Sequence, residues 1–131
     1  MLERIFSPLK DYSIPVLRLG IAAVFIGHGY LKLTDLQGFA GFLQQTGTPF
    51  PGIMMAPIVA GVEFLGGVAI LLGTGTRSAA LLLTGVMIVA MLTVTIPKGF
   101  AGGYDINLAI LGGLLCLLVG GPGKFSLGGD W

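Results

Sequence analysis

Residues 14–33 read IPVLRLGIAAVFIGHGYLKL, an apolar run long enough to cross a bilayer and interrupted only by Arg18, His28 and Lys32. Three such groups are a load that a lipid-facing helix does not carry, so this segment is expected to face other helices. Working outward, further apolar runs lie at about 53–73, about 78–97 and about 104–121. The second holds a single charge, Glu63, with Pro57 read in its opening turn, where a missing N–H matters least. The third carries no charge. The fourth is short and draws on Tyr104, Asp105 and Gly121 to complete a crossing. The fold class expected is therefore all-α: an integral membrane four-helix bundle of up-down topology, with residues 1–131 forming one membrane domain.

Composition points the same way. Of the 131 residues 54% are hydrophobic and 10% charged, and the mean hydropathy is +0.95. Four spans of about 20 residues leave no room for a separate soluble domain. A net charge of +1 with no block of like charges excludes nucleic acid as a partner. The single cysteine, Cys116, excludes an intrachain disulfide and a CxxC pair, and reads as a small apolar filler. The single histidine, His28, excludes a bis-histidine haem within one chain, and no metal site is expected. No flavin, haem or iron–sulfur motif is present, so no intrinsic cofactor is expected. The N-terminus resembles the charged start of a signal peptide but lacks a clear cleavage site, and is read as retained.

Between the first two spans, residues 34–52 read TDLQGFAGFLQQTGTPFPG. Leu36, Phe39 and Leu43 recur at helical spacing, Asp35 can cap the start and Gly47 can end the turn, which predicts a short interfacial helix. Residues 98–105, KGFAGGYD, predict a tight loop over the bundle's end, and the tail at 121–131, GPGKFSLGGDW, predicts turns with Trp131 at the headgroup level. Arg4, Lys10, Arg77 and Lys124 lie on the side of both termini, against Lys32 and Lys98 on the other. The positive-inside rule then puts both termini in the cytoplasm of a bacterial-type inner membrane.

On a helical wheel with Arg18 at the origin, His28 falls at about 280° and Lys32 at about 320°, so one face carries all three. Gly20, Ala23 and Gly27 occupy the opposite side, where small residues let another helix approach, and span 1 is expected to be shielded on two sides. Glu63 shares a small-residue face with Ala56, Ala60, Gly66, Gly67 and Ile70. Gly112 is read as a packing position in span 4.

Thr95, Lys98, Tyr104, Asp105 and Asn107 stand at the same outer end as His28, Lys32 and Glu63, so the polar residues gather in one half of the bundle. An imidazole and a carboxylate are the residue types that carry protons, as His28 and Glu63 could here, and Lys32 stabilises an anion. Such a set can bind a quinone head or relay protons for one, with His28 and Glu63 as candidate catalytic groups. Arg18, Lys32, Tyr104, Asp105 and Asn107 would bind it or place charge. The plainer reading is equally concrete: Glu63 paired with Lys32 or Arg18 locks helices together, His28 is a packing residue, and Asp105 caps span 4.

The order and spacing of LRLG and HGYLKL in span 1, EFLGG in span 2, GGYDINL at the start of span 4 and GPGKFSL in the tail resemble the DoxX/DoxD-like family of small four-helix membrane proteins. The resemblance covers residues 14–128 and highlights Arg18, His28, Gly29, Lys32, Glu63, Gly66, Gly67, Gly103, Asp105 and Asn107. Asp105 replaces a glutamate common in the family, and Thr95 stands where a histidine often precedes the Pro-Lys-Gly turn. Some members resemble the membrane subunit of a thiosulfate:quinone oxidoreductase, and others are linked with oxidative-stress complexes containing superoxide dismutase and a sulfurtransferase. The resemblance thus implies a redox-associated subunit in the lipid bilayer, working with a quinone and a protein partner or a further copy of itself. The competing readings are a non-catalytic scaffold or assembly factor and, ranked lower, a small-solute transporter.

Overall fold

The computed structural model describes residues 1–128 and 131, and the part of the tail reading that falls on 129 and 130 lies outside the described residues. A short helix, α1 (Leu2–Phe6), runs through a 3-10 segment (Ser7–Tyr12) into α2 (Ser13–Thr34). The chain continues through α3 (Leu36–Gln45), α4 (Gly52–Leu72), α5 (Thr76–Ala90) and α6 (Asp105–Gly120), and no strand forms among the described residues. Four stretches, Leu2–Thr34, Gly52–Leu72, Thr76–Lys98 and Phe100–Gly120, are long and apolar enough to cross a membrane. At 1.5 Å per residue α4 measures about 31 Å, close to the hydrocarbon thickness of a bilayer. The up-down bundle is therefore present, with α2 flanked by α4 and α6, and α5 closing the ring between them.

Local chemistry fixes the breaks. Asp35 accepts a hydrogen bond from the Gly38 N–H at 3.1 Å and starts α3, and Gly47 (φ +73°) stands just beyond its end, as the turn signals predict. Gly73 (φ +70°) stops α4 in the left-handed region, where a Cβ is disfavoured. Residues 91–95 widen into a π-helical turn and residues 96–98 tighten to 3-10. A kink at Ala101 and Gly102 then brings the chain back into α6.

The core joins Ile21, Ala22 and Phe25 of α2 with Ile70 of α4, Leu83 and Met87 of α5, and Leu114 and Leu117 of α6. The backbones of α2 and α4 approach closely at two glycines. A Cβ on Gly29 would stand 2.5 Å from the Phe64 nitrogen, and one on Gly67 would stand 2.9 Å from the Ile26 nitrogen.

Several expectations need correction. Gly20, Gly27 and Gly112 have nothing within 4 Å of a built Cβ, and Ala23 is exposed, so that side of α2 faces out of the bundle. Intrachain packing falls to Gly29, Gly67 and Gly113, the last against Ile21 and Leu17, while Gly66 abuts Leu83 as expected of a packing position. Pro57 lies in the second turn of α4 rather than the first, so its missing N–H leaves the Ile53 carbonyl without a helical donor. Cys116 is exposed on α6 and fills no core space.

Candidate functional site

Lys32, in the last turn of α2, and Glu63, midway along α4, form an ion pair that joins the first two long spans. The Lys32 Nζ donates to both Glu63 oxygens at 2.7 Å. The Glu63 side chain is 7% exposed and the Lys32 side chain 25%, so the carboxylate is enclosed and the ammonium is the reachable half. Glu63 is enclosed because Ala56, Ala60 and Gly67 on its own face are small and buried, which lets α2 come close. From above, α3 lays the Phe39 ring 4.9 Å from Nζ, a cation–π contact that roofs the pair. Of the two partners open to Glu63 in the sequence, Lys32 is the one it takes.

Arg18 sits elsewhere. It lies fourteen residues before Lys32, about 21 Å along the helix axis, and is 4% exposed. Its guanidinium donates to five carbonyls: Nε to Ile70, Nη1 to Pro122 and Lys124, Nη2 to Leu71 and Phe125, at 2.9 to 3.1 Å. Two of these acceptors end α4, where the helix dipole favours a cation, and three belong to the tail. Every N–H of the guanidinium is directed to an acceptor, so Arg18 joins α2, α4 and the tail at the end of the bundle where α4 stops.

His28 is exposed on the flank of α2, and its Nδ1–H donates to the Val24 carbonyl at 2.8 Å. A carbonyl only accepts, so this contact fixes the tautomer and leaves Nε2 directed away from the helix. His28 shares the depth of Lys32 but is not drawn into the enclosed pair. At the start of α6, Asp105 accepts from the N–H groups of Gly102 and Ile106, stabilising the helix start. Asn107 donates to the Met87 sulfur at 2.9 Å, and Tyr104 packs edge-on against Phe100. Thr95 is buried at its hydroxyl without a hydrogen-bond partner, and Lys98 is exposed.

Of the predicted set, Lys32 and Glu63 come together, Tyr104, Asp105 and Asn107 stand at the start of α6 with other partners, and Arg18 is remote from Lys32. Phe39 is the residue that sequence reasoning left out of the site. Its place on the apolar face of the interfacial helix, directly after the lysine-bearing span, was the available signal. An apolar groove of about 440 Å³ runs between α4 and α5, lined in part by Gly61, Leu65, Gly66, Leu82 and Trp131. Neither Lys32 nor Glu63 lines it.

These features define a class: a small polytopic membrane protein whose second long span holds an enclosed carboxylate bonded to a lysine of the first. The comparisons with known proteins make this specific. The DoxX family model matches residues 13–96, and the chain belongs to the DoxX family. Inner membrane protein YqjF of Escherichia coli (strain K12) is 35% identical over 124 residues, covering 91% of this chain and 92% of the relative. CatD of Bacillus subtilis (strain 168), provisionally named an oxidoreductase, is 29% identical over 104 residues, covering 78% of this chain and 75% of the relative. No solved structure gives a significant match.

Proposed function

We propose that this DoxX-family protein is a redox-associated subunit of the inner membrane, both termini cytoplasmic, that engages a quinone head or a similar small molecule at the Lys32–Glu63 pair. The observation that carries the reading is the asymmetry of that pair. Glu63 is enclosed, while Lys32 keeps a quarter of its side chain accessible beneath the Phe39 ring. A carbonyl oxygen approaching Lys32 gains a charge-assisted donor without exposing the carboxylate. Reduction of a quinone takes up two electrons and two protons. In this reading Lys32 stabilises the charge developing on oxygen, and Glu63 and His28 handle protons. In the same reading Tyr104, Asp105 and Asn107 would place polar groups for the bound molecule, and Arg18 sets the distant charge that holds the bundle. Electrons come from a partner protein or a soluble reductant such as thiosulfate. The provisional oxidoreductase name of the Bacillus relative supports a redox setting.

Mass spectrometry of small molecules that co-purify in mild detergent tests this directly, comparing wild type with Glu63→Gln and His28→Ala. A quinone enriched on wild type and lost from folded variants is expected. Equal retention by all three, or no enrichment over the surrounding lipid, overturns the reading.

A second reading, a non-catalytic scaffold for a partner protein, is favoured by the two-point closure of the pair, which satisfies both charges within the chain. Crosslinking in intact membranes discriminates: recovery of the protein alone counts against a scaffold.

A further inference from the structure

At the inner end, the 3-10 segment and the tail border an open cleft of about 570 Å³ lined by Lys10, Asp11, Ser13, Ile14, Gly123 and Lys124. We propose that this cleft binds the phosphodiester of an acidic phospholipid headgroup, with Lys10 and Lys124 as its two cationic walls.

The cleft is built rather than incidental. The Lys124 carbonyl is held at 2.9 Å by the buried Arg18, so the tail wall is tied to the bundle. Gly123 (φ +68°) packs so closely on the first turn of α2 that a Cβ would stand 2.8 Å from the Ile14 Cβ. On the opposite wall, the Ser13 hydroxyl donates to the Lys10 carbonyl at 2.7 Å. The Lys124 ammonium rests 4.6 Å from the Tyr12 ring centroid and 5.6 Å from that of Phe125, which keeps it beside the cleft.

Charge selects the ligand. Lys10 and Lys124 oppose the single carboxylate Asp11, leaving one positive charge, which matches the one negative charge of a phosphodiester better than a doubly charged phosphomonoester. Position selects a lipid. The continuous helical stretch Leu2–Thr34 has 33 residues, about 50 Å, which exceeds the hydrocarbon layer by about 20 Å. Leu2, Ile5, Phe6 and Leu9, spaced i, i+3, i+4 and i+7, are all exposed. An apolar face of that kind beside a basic cleft suits the headgroup boundary, with acyl chains along the leucines and the phosphate between the lysines.

Native mass spectrometry of the full chain, loaded with equal phosphatidylglycerol and phosphatidylcholine, tests the assignment. Wild type is expected to retain phosphatidylglycerol preferentially. Lys10→Gln and Lys124→Gln should each reduce the preference about fivefold, and the paired arginine substitutions should keep it. Excess inorganic phosphate should leave the lipid bound. Equal retention of the two lipids by wild type, an unchanged preference in the folded double glutamine variant, or displacement by inorganic phosphate would each overturn the proposal.

Discussion

Lys32 and Glu63 join two neighbouring spans by a two-point contact, Nζ lying 2.7 Å from each carboxylate oxygen. Removing one partner leaves the other charge enclosed, so Lys32→Met alone is expected to lower stability by about 3 kcal/mol. Replacing both, Lys32→Met with Glu63→Leu, should restore most of that loss, because apolar groups of similar size need no compensation. Thermal unfolding in detergent of the two singles and the double closes the cycle. A double no better than the singles would show that the pair is not the source of the loss.

The two kinds of glycine on α2 should respond oppositely. Gly29→Ala places a methyl against the Phe64 backbone and is expected to cost about 1–3 kcal/mol. Gly20→Ala and Gly27→Ala point into open space and should leave the monomer unchanged or stabilise it by up to about 1 kcal/mol. Comparing the melting temperatures of the three variants is sufficient.

That contrast shows where the sequence was legible. Span number and the short helix with its Asp35 cap followed from run length and turn chemistry, while the cost of lone charges in lipid narrowed the partner of Glu63 to Lys32 or Arg18 without choosing between them. The facing of each helix was harder to read, because lipid is as apolar as the core and the hydrophobic pattern does not distinguish inside from outside. The charged side was the better guide: Arg18, Ala22, Phe25, Gly29 and Lys32 turn inward or partly inward, although His28 at the edge of that face is exposed, as are the glycines opposite. The socket around Arg18 was not legible at all, since its acceptors are main-chain carbonyls, which every residue has.

Arg18→Lys tests that socket. A lysine offers three donors where the socket presents five acceptors, and its point charge cannot fork between α4 and the tail. Stability should fall by about 3 kcal/mol, and hydrogen exchange should rise at Leu127 and Gly128, whose N–H groups bond to Leu72 and Gly73. Unchanged exchange there would mean that the tail is held without Arg18.

Asp35→Ala removes the side-chain cap of α3 and should cost about 1 kcal/mol. Because α3 carries Phe39, the loss should loosen the roof over Lys32. Faster amide exchange confined to residues 36–45 is the expected signature, and uniform protection would refute it.

The Arg18 socket also imposes an order on biosynthesis. The carbonyls of Pro122, Lys124 and Phe125 follow Arg18 by 104 to 107 positions in the chain. While a ribosome is still making the later spans, the guanidinium must remain solvated at the membrane surface or bound by other groups. The first span therefore reaches its final seat only after the tail has been made, and a nascent chain halted before Pro122 would carry a cation with just two of its final acceptors, Ile70 and Leu71.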